Sequence, residues 1–335
     1  MEAERHGETP IGAALGSPAA RALLALAAVV ALGLYFHADG AFHEWRTHRD
    51  MLRQVSVYGI LACGMTLVII TAGIDLSVGS VLGLVAVLFS LMTIHWGWSA
   101  WLAVPLCLAA GCACGSVSGA LIARYRLQPF IVTLAMMVFA RGLAKSISGG
   151  RKISTYVQHS DGSFENVPMP AVFSLIDTRV FGGNVAVVTV IFLICVASAW
   201  FLLARTRAGR YLYALGGNET AAHLSGLPLF RLKVLAYGAC GFFAAVAGIC
   251  QAAQETQGDP EAGAAYELTA IAIVVIGGTN LMGGRGSVLL TLLGALTIGY
   301  LEKILSLNAV GESSRLMLTG GIIVAAVLMQ GRRRA

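Results

Sequence analysis

The sequence predicts an all-α, polytopic membrane bundle of about ten spans, with broken helices near Asp75 and Asn280. Three observations carry that prediction. The 335 residues are 57% hydrophobic and only 12% charged, with a mean hydropathy of +0.77, whereas a soluble domain carries about 25% charged residues. Apolar runs near the spanning length of about 20 residues recur along the whole chain, which excludes a soluble enzyme held by one anchor. Forty glycines suit helices that must approach closely where lipid supplies no hydrophobic force between them.

Taken in order, residues 1–20 are polar and small and lack the basic start and cleavage pattern of a signal peptide. They are expected to form a disordered cytoplasmic tail, with 21–335 the membrane domain. The first span is expected over 22–36. Residues 37–53 hold Trp45, Arg46, Arg49 and Arg53, and are expected to lie along the interface as an amphipathic connector. Spans follow at 55–73, 76–94, 100–123 and 127–147. Trp96, Trp98 and Trp101 form an aromatic belt by position. Gly111, Gly115 and Gly119 repeat every four residues as a helix-packing stripe.

Residues 148–183 read as an ordered external loop. A span over 184–204, a basic connector from Arg205 to Lys233 and a span over 234–253 come next. An acidic loop with Glu255, Asp259, Glu261 and Glu267 leads to spans at 268–282, 286–304 and 315–330. Ten spans place both termini on one side. The segments sharing that side hold 13 of the 23 basic residues and four of the 17 acids, so the positive-inside rule makes both termini cytoplasmic.

The stretch Gly64 to Leu84 is an apolar run cut by Asp75. A charge at membrane depth costs roughly 2.5–3.5 kcal/mol on insertion scales, which places Asp75 at an edge, at a helix break, or against protein or water. Asp75 or Ser77 can cap a new helix; a direct transport role for Asp75 is the alternative. Asp75-Leu76-Ser77-Val78-Gly79-Ser80-Val81-Leu82 is echoed by Asn280-Leu281 and Gly286-Ser287-Val288-Leu289, either as a transporter-type repeat or by chance in a Gly/Val/Leu-rich chain.

No cofactor site is evident. GxxxxGK[ST], HExxH and a nucleophile elbow are absent. The seven cysteines fall in apolar runs and read as small buried hydrophobes, neither disulfides nor metal ligands. The basic residues are spread over separate loops, so no nucleic-acid partner is expected; membrane lipid is. Within the basic connector, Glu219 to Ser225 reads as a short helix, preceded by Gly216, Gly217 and Asn218 and ended by Gly226 and Pro228. Its Ala/Leu side can enter a groove on a partner, or the helix merely connects spans.

GMTLVIITAGIDLSVGS, ALGGNETAAHLSGL and IGGTNLMGGRGSV, in that order, resemble the ribose/xylose/galactose-type ABC transporter permeases of the bacterial inner membrane, over about residues 50–332. The resemblance implies a permease domain that pairs with a second copy or a paralogue. It also implies cytoplasmic ATPase subunits that bind the ATP, and a periplasmic sugar-binding protein. Gly216, Gly217, Asn218, Glu219, Ala221, Ala222 and Gly226, within a cytoplasmic coupling loop at 205–233, then become the ATPase-coupling residues. Thr71, Asp75, Ser77, Thr279 and Asn280 are the polar candidates for the translocation path of a monosaccharide. A proton- or sodium-coupled carrier of a small polar solute is the alternative; the lack of a membrane carboxylate network and the presence of the docking helix count against it.

Overall fold

Backbone groups in hydrocarbon have no water to bond, so apolar runs close their hydrogen bonds internally as helices. The computed structural model of the chain describes residues 17–321, apart from 159–162, 312, 316 and 319. Ser17 caps α1 (Pro18–Tyr35), accepting from the Ala20 N–H, and proline fills the first helical turn. The helix therefore starts just ahead of the predicted 21–22. The predicted tail lies outside the described residues up to 16.

Next come α2 (Trp45–Ile70), α3 (Val78–Ser90, continued by a π-helical turn Leu91–His95), α4 (Ala100–Tyr125) and α5 (Pro129–Ser148). A short helix α6 (Ala171–Asp177) and the spanning helix α7 (Val187–Arg205) lead to two polar helices, α8 (Arg207–Gly217) and α9 (Glu219–Leu224). The rest is α10 (Leu229–Glu255), α11 (Tyr266–Ile276) and α12 (Val288–Leu307). Among the described residues, eight helices are long and apolar enough to cross a membrane. The predicted span at 268–282 appears as α11, only 11 residues long, and most of the predicted span at 315–330 lies outside the described residues.

α2 and α3 are the most enclosed spans, and α10 packs on both and on α4. The α4–α10 contact is set by the glycine stripe. A Cβ at Gly111 or Gly115 would overlap the carbonyl oxygen of Gly241 or Tyr237, and one at Gly119 would stand 2.8 Å from the Lys233 carbonyl oxygen. Two backbones thus run in contact along about two turns, as small residues allow.

The end of the bundle carrying α8 and α9 is called the basic end below, and the opposite one the far end. The predicted interfacial connector is corrected at the far end: Trp45 to Arg53 are the opening turns of α2. Their charges are met from a distant part of the chain. Arg53 pairs with Asp177, Arg179 with Asp50 at 2.5 Å, and Arg49 donates to the Gly183 carbonyl at 3.2 Å. Those partners belong to the predicted external loop, which holds α6, the antiparallel hairpin β1 (Tyr156–Gln158) with β2 (Phe164–Asn166), and β3 (Arg179–Val180), which pairs with β4 (Val185–Ala186) just beyond the loop.

Candidate functional site

The basic connector is more helical than its composition suggests. In α8, Gly209, Leu212, Leu215 and Gly216 are buried while Arg207, Arg210, Tyr211 and Ala214 are exposed, a one-sided pattern of helical period. Gly216 and Gly217, which precede the coupling helix as predicted, form the last turn of α8. Asn218 then caps α9 as expected: its Oδ1 accepts from the Ala221 N–H at 2.9 Å, satisfying one of the free amides of a helix start. Glu219 reaches Lys233 at 2.6 Å, and Gly226 ends the segment with φ +76°. The outward side of α9 carries Ala221 and Leu224, the latter 82% exposed, whereas Ala222 is 5% exposed and turned into the chain. The predicted Ala/Leu face is thereby corrected: helical spacing puts Ala222 inward, and Leu224 supplies the protruding apolar group.

Gly216 has a second role that spacing does not show. A Cβ there would overlap the carbonyl oxygen of Ile70 and stand 2.8 Å from the Gly284 nitrogen. Gly284, at φ +72°, donates its N–H to that same Ile70 carbonyl at 2.9 Å. A Cβ on Gly284 would stand 2.8 Å from the Gly217 Cα. Three segments therefore meet backbone to backbone: the end of α2, the end of α8, and the turn between α11 and α12. Tyr213, missed by sequence reasoning, adds a bond from α8 to that turn, its hydroxyl donating to the Gly286 carbonyl at 2.8 Å.

The predicted path residues divide into two groups. Thr71 lies at the junction and spends its hydroxyl on the Val68 carbonyl at 2.7 Å. Thr279 is buried, with Gly286 packed against it. Asn280 organises its own turn, donating through Nδ2 to the Gly283 carbonyl at 3.1 Å and accepting at Oδ1 from the Met282 N–H at 3.2 Å. Thr71 and Gly73, together with Gly216, Asn218, Arg126 and Tyr237, line a cavity of about 460 Å³ at this end.

Asp75 and Ser77 sit elsewhere. The chain leaves α2 at Ile70 and climbs back, so that Asp75 lies beside Cys240, the residue whose backbone meets Gly64. That level is six residues, about 9 Å, back from the end of α2. Asp75 is 1% exposed and accepts from the Ser77 N–H at 2.9 Å and from its hydroxyl at 2.6 Å. Ser77 stands at the cap position of α3, and the Asp75 carboxylate organises the turn into it. α3 therefore starts well inside the bundle.

A second irregular stretch, residues 256–265, replaces the acidic loop of the sequence reading. It returns into the bundle along α3. Gly258 lies against Ala86 and Ser90, Ala262 beside Gly83, and Gly263 beside Gly79. Glu267 is in the first turn of α11. Among the described residues no group of histidine, cysteine and acidic side chains suits a metal ion.

The arrangement is that of a bundle with two interior helix breaks and a polar protrusion locked to its turns. Residues 49–327 match the family described as the branched-chain amino acid transport system / permease component. Similar curated proteins include the ribose import permease protein RbsC of Escherichia coli K12, 41% identical over 85% of each chain. The fructose import permease protein FrcC of Rhizobium meliloti is 35% identical over 93% of this chain and 84% of its own. The xylose transport system permease protein XylH of Escherichia coli K12 is 31% identical over 91% and 90%. The chain belongs to the sugar ABC import permease family. No solved structure matches it. As a family member it is a multi-pass permease of the bacterial inner membrane, and the eight spanning helices agree with that placement.

Proposed function

We propose that this permease forms the translocation path for a monosaccharide, powered by separate ATPase subunits docked on α9 and loaded by a periplasmic sugar-binding protein. The observation that supports this most is the junction of Ile70, Gly216 and Gly284: a six-residue helix is coupled, through backbone contacts and the Tyr213 hydroxyl, to the turns that follow α2 and precede α12. A partner that moves α9 moves both turns. The chain then needs no covalent chemistry, only two packings whose balance the ATPase biases. On this reading Ala221, Leu224 and Glu219 face the ATPase, the α8–α9 end is cytoplasmic, both termini lie on that side, and a second copy or paralogue completes the path. No cofactor is bound by this chain.

The test is uptake by vesicles holding the permease with its ATPase and binding protein. Labelled sugar is expected to accumulate only with hydrolysable ATP. Uptake that persists without nucleotide and collapses with a proton or sodium ionophore overturns the proposal in favour of a secondary carrier.

A further inference from the structure

The return of residues 256–265 into the bundle builds a second polar feature, remote from the basic end. α3 and its π turn climb to His95, beside the exposed Trp96 and Trp98 of the far end. Gly79 lies 16 residues before His95, about 24 Å at 1.5 Å per residue, and Gly83 about 18 Å. Ala262 and Gly263, against those two glycines, thus lie well within a hydrocarbon thickness of about 30 Å. Non-helical backbone facing lipid does not occur at that depth; it is found buried in protein or bordering water. Yet Glu261, Ala264 and Ala265 are exposed on this chain, and Leu268 is 51% exposed.

The same face carries three charge contacts, one below another, between α5 with its following turn and the returning segment. Nearest the far end, Lys152 pairs with Asp259 at 2.9 Å, where Ile153 and Gly258 also bridge. Below it Lys145 pairs with Glu261 at 2.5 Å. Deepest, Arg141 donates to the Pro260 carbonyl and, at 2.8 Å, to the Ala262 carbonyl. Glu267 lies opposite, its Oε2 so close to Gly79 that a Cβ there would stand 2.6 Å away. Charged groups at membrane depth mark solute pathways rather than lipid contacts.

We infer that this face is a wall of the translocation path and that Glu261, Lys145 and Glu267 contact the solute. The inference rests on the transport reading above and adds a site to it. Three cations and three carboxylates balance, so the wall has no net attraction for an ion of either sign. It instead offers alternating acceptors and donors, which suits a neutral polyhydroxylated molecule whose hydroxyls both donate and accept.

Two measurements on the assembled transporter decide it, with D-ribose, D-xylose and D-fructose as probes. In the first, Ala264→Cys is expected to react with a membrane-impermeant methanethiosulfonate at least tenfold faster than Phe139→Cys, an exposed apolar position about 120° around α5 from Lys145, and more slowly when a transported probe and the binding protein are present. In the second, Glu261→Gln and Lys145→Met are expected to raise the KM for uptake at least fivefold while the complex still assembles. Equal reaction of the two cysteines, or rapid reaction with an unchanged KM in both variants, overturns the inference. Absence of uptake by the unaltered complex counts against the transport reading alone, because the reactivity of Ala264→Cys is read without it.

Discussion

Two regions of this permease use glycine in the same way, to bring backbone against backbone, and differ in everything around it. At the basic end, Gly216, Gly284 and Ile70 meet beneath an exposed helix, and the contact is made by peptide groups with no charged side chain in it. At mid-depth, Gly79 meets Gly263 between a glutamate and an arginine that holds the returning chain by its carbonyls. The first contact is short-range and stiff, suited to passing displacement from α9 into the bundle. The second is polar and open on one side, suited to meeting a hydrated solute. On the proposed coupling, the division explains why α9 can be polar and small: force would enter by position, not by side-chain chemistry.

The largest effect should come from closing the first contact. Gly216→Val puts three carbons where the Ile70 carbonyl stands, and overpacking typically costs about 1–3 kcal/mol, occasionally more. The expected outcome is a clear fall in the melting temperature of the detergent-purified chain, with loss of sugar-stimulated ATPase activity in whatever complex survives. A variant that melts and couples like the parent would show that α8 does not bear on α2.

Gly79→Ala ranks next. One methyl must displace the Gly263 carbonyl and the tip of Glu267; the glutamate can move but the backbone carbonyl moves only with the returning chain, so the expected cost falls inside that same range, about 2 kcal/mol. The comparison predicts a different phenotype from Gly216→Val: uptake should fall with ATPase coupling retained, measured as transport per ATP hydrolysed. If both glycine variants uncouple alike, the two contacts are not functionally distinct.

What the sequence could and could not disclose follows the same line. The Gly111–Gly115–Gly119 stripe was legible because helix periodicity alone puts the three on one face, and they do meet α10. Asn218 was legible as a cap because capping is local. The break at Asp75 was legible from a carboxylate in an apolar run. The helical state of Gly216 and Gly217 was not, since the arginines of α8 mask four inward residues. Nor was the depth of residues 256–265. Gly258, Pro260 and Gly263 announce a turn, but only their partners on α3 say where it lies. The same holds for Arg46 to Arg53, read as interfacial because Asp177 and Gly183, which anchor them, are more than a hundred residues away.

The smallest effect, and the one that separates lever from linker, belongs to Asn218. Its side chain caps α9 directly after Gly217, at the point where the helix joins the glycine junction. Asn218→Ala removes the cap bond at a cost of about 1 kcal/mol, on a helix too short to persist by itself. The bundle, far larger, should melt almost unchanged. Transport should nonetheless drop severalfold, because a frayed α9 absorbs the displacement that a rigid one hands to Gly216. Asn218→Asp keeps an acceptor at the same place and adds a negative charge favourable at a helix start, so it should restore uptake. Full activity in Asn218→Ala would mean that α9 need not hold its shape, and that the Glu219–Lys233 pair or the partner itself orders it. Loss in both variants would point instead to Asn218 touching the ATPase through its amide. Only the pattern of alanine impaired and aspartate restored identifies α9 as a stiff arm set on the junction.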